Sequence, residues 1–123
     1  MSGRAALVVL ALLSAAACKK SPAGPDPPVT TYVITITAAG VSPKNIDVPL
    51  GARVQFKNED NRPHYMHSDP HPDQTDCPEL NQVGYLSPTQ VRETGNLVTA
   101  RVCGYHDHDL FMNNALKGTI TIK

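Results

Sequence analysis

The densest group of potential metal ligands in this sequence lies between residues 103 and 112. The stretch CGYHDHDLFM holds a cysteine, two histidines, two aspartates and a methionine. Thiolate, imidazole and thioether groups are the ligands that proteins offer to copper and zinc. Residues 119–122, TITI, then alternate between polar and apolar types, which predicts a half-buried β-strand. The sequence therefore predicts a copper or zinc site on a loop that leads into the final strand.

The N-terminal segment resembles the signal of a bacterial lipoprotein. Arg4 precedes an apolar run that ends at Leu13, too short for a bilayer, which requires about 20 apolar residues. The sequence SAAAC, ending at Cys18, resembles a lipobox, in which the cysteine becomes the lipidated first residue. We expect a signal peptide over residues 1–17, a lipid on Cys18 and a periplasmic or cell-surface location in the bacterial envelope. The alternative is ordinary cleavage after Ala-x-Ala, which would leave a free thiol on Cys18.

Composition divides the rest of the chain into a tether and one domain. Residues 18–30 are rich in Pro and Gly, which predicts an extended linker between a membrane anchor and the folded part. Residues 31–123 have the length of one small domain. The 11 acidic and 11 basic residues cancel, so nothing in the charge balance favours nucleic acid as a partner.

Two cysteines remain once Cys18 is assigned to a lipid. Cys77 and Cys103 form an even pair in an oxidising compartment, for which a disulfide is the usual state. Such a bond would close a loop of about 25 residues and stabilise the domain by about 3–4 kcal/mol on the chain-entropy model. The alternative is that Cys103 stays a thiolate and binds the metal.

Short alternating segments predict an all-β domain. Residues 32–37 and 53–57 alternate strictly, with Val54 and Phe56 facing inward in the second segment. Residues 97–103 are rich in Val and Thr and predict another strand, whereas 68–88 hold four prolines and predict an irregular excursion. The core face of the strand over 97–103 is assigned to its small apolar residues, Val98, Ala100 and Val102. Many short strands separated by turns are typical of a β-sandwich.

Residues 40–64, GVSPKNIDVPLGARVQFKNEDNRPH, resemble the first half of a cupredoxin. In that family a Gly-x-Ser-Pro turn and two strands lead through Asn-x-Asp to a Pro-His whose imidazole binds copper. Residues 116–123, LKGTITIK, resemble the closing strand of the family. The resemblance covers nearly all of residues 32–123. It implies a Greek-key sandwich with copper at one end, between the loop that carries His64 and the loop over 103–116.

One ligand set that the resemblance implies is a type 1 blue site. The spacing from Cys103 through His108 to Met112 is similar to that of azurin, and His64 would be the remaining ligand. A thiolate with two imidazoles and a distant thioether is the ligand set of an electron-transfer copper centre. Against it, Cys103 has a partner in Cys77, and a disulfide sulfur is not a thiolate ligand.

The second ligand set consists of histidines. His64 would be joined by His106 and His108, with His71 as a fourth ligand. The two histidines of a His-x-His sequence on an extended segment lie on one face, where they can share a metal. The sequence resembles a branch of bacterial cupredoxin-like proteins with a Tyr-His-Asp-His ending. His67 is interpreted as a solvated surface residue, and Met112 as core filling if it is not a ligand.

Three classes of function follow, of which we favour the first. It is an extracytoplasmic, membrane-tethered copper-binding protein that acts in copper handling or electron transfer, with a redox or copper-trafficking protein as partner. The second is an enzyme. The sequence contains no catalytic motif, so we expect no enzymatic activity, although oxidative copper chemistry stays open. The third is a metal-free scaffold or adhesion sandwich.

Overall fold

The computed structural model describes residues 30–123, together with Gly3. The predicted signal peptide, the lipidation site at Cys18 and the linker up to residue 29 lie outside the described residues. Over residues 30–123 the helices are short 3-10 turns, and none is long and apolar enough to cross a membrane.

Within residues 30–123, nine strands form two sheets that enclose one core. The strands are β1 (Tyr32–Thr37), β2 (Gly40–Ser42), β3 (Asn45–Val48), β4 (Val54–Asn58), β5 (His64–Ser68), β6 (Gly84–Leu86), β7 (Val91–Glu93), β8 (Arg101–Asp107) and β9 (Lys117–Ile122). The first sheet has the order β2-β1-β4-β7 and the second the order β3-β9-β8-β5-β6. Two 3-10 helices, Pro78–Gln82 and Asn114–Leu116, lie in the connections. The predicted β-sandwich is confirmed.

The core follows the alternation of the strands. Ile34 and Ile36 of β1 and Val54 and Phe56 of β4 are fully buried, as their alternation predicts. From the other sheet Tyr105 meets Phe56 edge to face, with ring centroids 5.2 Å apart. An edge-to-face contact is a favoured arrangement of aromatic rings, so this pair joins the two sheets at the centre of the sandwich.

The predicted strand over residues 97–103 is wrong in position and in face. Leu97 makes only an isolated bridge to Ala52, and β8 begins at Arg101. Val98 and Val102 are 64% and 61% exposed, whereas Cys103 is fully buried. The β-propensity of Val and Thr does not decide burial; here the inward positions are those of Cys103 and Tyr105.

The predicted excursion over residues 68–88 is more ordered than expected. It contains the helix Pro78–Gln82 and strand β6, and its middle is fastened by the predicted disulfide between Cys77 and Cys103. The backbone N–H of Asp69 also donates to the carbonyl of Gly104, 3.0 Å away. The first part of the excursion, residues 69–77, is therefore held against β8.

Candidate metal centre

Strands β5 and β8 build a face of aromatic and imidazole rings on the outer side of the five-stranded sheet. The two strands pair antiparallel, with His67 opposite His106. One step further, the backbone N–H of His108 donates to the carbonyl of Tyr65, at 2.6 Å. Because side chains alternate along a strand, Tyr65, His67, His106 and His108 share this face, whereas Met66 and Tyr105 point into the core.

His71, from the excursion after β5, completes the group. Its ring centroid lies 4.7 Å from that of His108 and 5.5 Å from that of His106. His108 is 5.6 Å from His67 and 6.1 Å from His106. Two imidazoles that bind one ion through nitrogen at about 2.0 Å have centroids on the order of 5 Å apart. We call these four residues, His67, His71, His106 and His108, the histidine cluster.

Hydrogen bonds orient three of the four rings through Nδ1. The Nδ1 of His106 lies 2.7 Å from a carboxylate oxygen of Asp69, and the Nδ1 of His67 lies 3.2 Å from the amide oxygen of Asn81. Both partners accept, so each Nδ1 carries the proton and each Nε2 keeps its lone pair. Such outer partners fix the tautomer of metal-binding histidines.

The third oriented ring, His108, has an amide as its neighbour. Nε2 of Gln74 lies 2.7 Å from Nδ1 of His108. An amide nitrogen donates, which places the proton of His108 on Nε2; turning the amide by 180° presents its oxygen and frees Nε2 instead. For Nε2 of His108 to act as a ligand, the amide of Gln74 would therefore have to turn.

Two buried nitrogen atoms of the cluster have no partner. Nε2 of His67 and Nε2 of His106 make no hydrogen bond within residues 30–123, and the residues are only 7% and 1% exposed. A buried polar atom without a partner costs about 1–3 kcal/mol. A bound metal ion would remove this cost at both atoms, so the donor set fits a metal.

The cluster is not preassembled around an ion. Within the described residues no group of three or more His, Cys, Asp or Glu side chains is arranged so that it could hold a metal ion. Ligation therefore requires the rings to close by changes of side-chain rotamer. Burial lowers the pKa of His67 and of His71, and the neighbouring His108 and His106 lower both further. A lowered pKa keeps these imidazoles neutral, the form that binds metal.

His64, predicted as a ligand in both sets, is not part of this cluster. It lies inside the sandwich, with Nδ1 2.7 Å from a carboxylate oxygen of Asp107 and Nε2 2.9 Å from one of Asp60. Arg62 contacts the same oxygen of Asp60, at 3.3 Å. Both ring nitrogens of His64 are therefore within hydrogen-bond distance of a buried carboxylate, and neither is left free. The hydrogen bond from His64 is the main cause of the lowered pKa of Asp60, which burial partly opposes.

The remaining predicted ligands are also dispersed. The sulfur of Cys103 is bonded to Cys77 and has no thiolate to offer in this form. Met112 is 78% exposed on the turn after β8, so the prediction that it fills the core is wrong. The structure thus brings together His71, His106 and His108 of the predicted residues, and adds His67.

Sequence reasoning missed His67 because it weighed that residue alone. The signal was present in β5: if the apolar Met66 faces inward, then His64 faces inward with it and His67 faces outward. The orienting residues Asp69, Gln74 and Asn81 gave no signal, because they reach the rings through the folding of the excursion.

Comparison with known proteins establishes the fold. No protein-family model matches the chain, and no curated protein does. Among solved structures it is similar to a purple cupredoxin from Nitrosopumilus maritimus, at 22% identity and a TM-score of 0.58, covering 75% of this chain and 99% of that one. Oxidised plastocyanin from Dryopteris crassirhizoma gives 20% identity, 75% and 100% coverage, and a TM-score of 0.59. A reduced mutant of amicyanin is 16% identical, with 80% of this chain and 87% of that one covered and a TM-score of 0.60. The chain therefore has the fold of the cupredoxins.

Proposed function

We propose that this protein is an extracytoplasmic, membrane-tethered copper-binding protein whose metal centre is the histidine cluster. The observation that carries the proposal is the pair of buried, unpartnered Nε2 atoms on His67 and His106, beside two further imidazoles. His67, His106 and His108 would hold the ion through Nε2, and His71 would supply a fourth imidazole.

Copper is favoured over zinc by two arguments. Imidazole suits both ions, but a given nitrogen site binds Cu(II) more tightly than Zn(II). The structural neighbours include cupredoxins, and one of the amicyanin structures is described as a Cu(I) form. When bound, copper would supply a one-electron redox centre or serve as cargo.

The residues of the chain favour copper handling over fast electron transfer. With Cys103 in a disulfide, the cluster offers imidazoles and no thiolate. A cysteine thiolate with a distant thioether is the ligand set of blue electron carriers. Asp69 and Asn81 hold the rings of His106 and His67 in the ligand tautomer, which is what this chain contributes to binding.

The test is a Cu(II) titration of the disulfide-bonded protein, followed by visible absorption and electron paramagnetic resonance, with a thiol count on the same sample. We expect one equivalent of copper, a pale spectrum and no thiol from Cys77 or Cys103. Replacing both His67 and His106 by alanine should weaken binding by more than about a hundredfold, beyond the range seen for outer partners. Met112→Leu, the matched control, should bind as the wild type does.

Two outcomes would contradict the proposal. An intense blue band with two titratable thiols would make the protein a blue-copper electron carrier through Cys103. If the protein binds no stoichiometric copper, the metal-free scaffold remains as its function. The tether is tested separately: Cys18→Ser should move the protein from the membrane fraction to the soluble envelope fraction, and unchanged partition would exclude the lipid anchor.

A further inference from the structure

The four imidazoles of the histidine cluster differ in how firmly the protein holds them. His67 and His106 are buried and hydrogen-bonded through Nδ1, and His108 is partly buried and contacts Gln74. His71 is exposed. Within residues 30–123 its ring is contacted by other rings and makes no hydrogen bond.

The principal contact of His71 is a stack on Phe111. The two rings are nearly parallel, at 8°, with centroids 3.9 Å apart. Stacking is a weak restraint compared with the charge-assisted hydrogen bond that holds His106 on Asp69. His71 is therefore the ring that can leave the cluster with the smallest change in the rest of the structure.

Phe111 itself is held in place by its turn. A carboxylate oxygen of Asp107 accepts from the backbone N–H groups of Asp109 and Leu110, and the N–H of Asn113 donates to the carbonyl of Leu110. The turn thus fixes the backbone on either side of Phe111, whose ring is 39% exposed at the edge of the cluster. His71 rests on that ring, with its centroid 5.5 Å from that of His106.

From this we propose that His71 is the exchangeable ligand of the site, through which copper enters and leaves. This inference rests on the proposed function. The ion binds first to the three anchored imidazoles, and His71 then turns from Phe111 to close the site. In delivery, the bond between copper and His71 breaks while a ligand of the acceptor forms a new one; copper keeps its oxidation state and no proton moves. In this proposal the stacked position of His71 on Phe111 is the open state, and turning the ring onto the metal breaks the stack.

The experiment measures the rate at which the copper-loaded protein passes Cu(II) to a chromogenic chelator, by stopped-flow absorption. His71→Ala should accelerate transfer by about tenfold or more, because the closing ligand is gone. Phe111→Leu keeps an apolar side chain but removes the stack, so it should slow transfer by about two- to tenfold, the range for an aromatic pair. Leu110→Ala, on the same turn, is the control and should leave the rate unchanged.

A variant that carries both His71→Ala and Phe111→Leu tests whether Phe111 acts through His71. If Phe111 acts only through His71, Phe111→Leu should have no effect on transfer in the His71→Ala protein, as in a double-mutant cycle. An unchanged transfer rate in His71→Ala, or a Phe111 effect that persists without His71, would overturn the inference while the wild type still binds copper. Failure of the wild type to bind copper would instead overturn the proposed function.

Discussion

Two regions of this domain place histidine in opposite situations. Inside the sandwich, His64 lies between Asp60 and Asp107, and both of its ring nitrogens are used in hydrogen bonds. On the outer face of the sheet, His67 and His106 each use only Nδ1 and keep a buried Nε2 that has no partner among residues 30–123. The residue type is the same, but the number of free nitrogens differs.

The comparison teaches that a histidine is a candidate ligand only through the nitrogens that its protein leaves free. His64 occupies the position that resemblance to cupredoxins assigns to copper, yet here its neighbours are two carboxylates. Asp107 links the regions, since it binds His64 on one face of β8 while His106 and His108 flank it in the chain. We therefore assign the interior histidine to the fold and propose the outer histidines as the metal ligands.

The largest expected effect comes from removing the interior ring. His64→Ala would leave the buried carboxylates of Asp60 and Asp107 without their shared partner, which costs about 3–5 kcal/mol. Urea unfolding of the metal-free protein should show this loss, while copper bound per folded molecule should stay at one equivalent.

His64→Gln serves as a second variant if the alanine form does not fold, because glutamine keeps a hydrogen-bonding side chain without the imidazole ring. His67→Ala is the matched comparison and should lose copper affinity with a smaller loss of stability. A His64 variant that folds normally but loses copper would contradict both assignments, that of His64 to the fold and that of the outer histidines to the metal.

The second prediction concerns pH. The lowered pKa of Asp60 means that the folded state favours its ionised form relative to the unfolded chain. The contribution of Asp60 to the free energy of unfolding is therefore complete above about pH 4, near the ordinary pKa of an aspartate. It is lost as the pH falls through the lowered pKa of the folded state. Asp60→Asn should unfold at a lower urea concentration than the wild type at pH 7, because the carboxylate that contacts His64 and Arg62 is gone.

Urea unfolding of the metal-free protein between pH 2 and pH 7 tests this. The difference between Asp60→Asn and wild type should shrink toward zero at the acid end. Asp73→Asn, on the exposed excursion, should follow the wild-type curve throughout. A constant difference for Asp60→Asn across this range would mean that packing, rather than ionisation, accounts for its effect.

The fold could be predicted where one face of a strand is buried. Strands β1 and β4 show this, because Ile34, Ile36, Val54 and Phe56 alternate with polar residues. Strand β8 could not be placed in this way, because its inward positions are taken by a disulfide cysteine and a tyrosine. Strands β6 and β7 have three residues each, too few for a period to be visible.

The site could be predicted only in part, for a related reason. The spacing of His106 and His108 correctly indicated a shared face, and the structure brings His71 to them. The choice of His64 over His67 depended on family resemblance, which does not report that Asp60 and Asp107 enclose His64. Which nitrogens remain free is a tertiary property, set by partners up to 43 residues away in the chain.

The third prediction tests how the outer histidines are held. Asp69→Ala should weaken copper binding by about ten- to a hundredfold, the range for partners that orient metal-bound histidines. Gly104→Ala should act in the same direction, because a Cβ at this position would overlap the Asp69 carboxylate. Competition with a chelator measures both affinities. Asp73→Ala, in the same excursion, is the control, and equal weakening in that variant would point to charge rather than to contact with His106.

The smallest expected effect concerns Gln74 and separates two states of His108. As the amide stands, it donates to Nδ1 of His108 and leaves the proton on Nε2, so it must turn when copper binds. Gln74→Glu can only accept, which fixes the ligand tautomer and should tighten copper binding by about three- to tenfold, the value of one hydrogen bond. Gln74→Ala should change the affinity little, because it removes one hydrogen bond to His108 from both the metal-free and the copper-bound state. If chelator competition shows both variants weakened alike, His108 does not bind through Nε2, and the contrast with His64 then rests on His67 and His106.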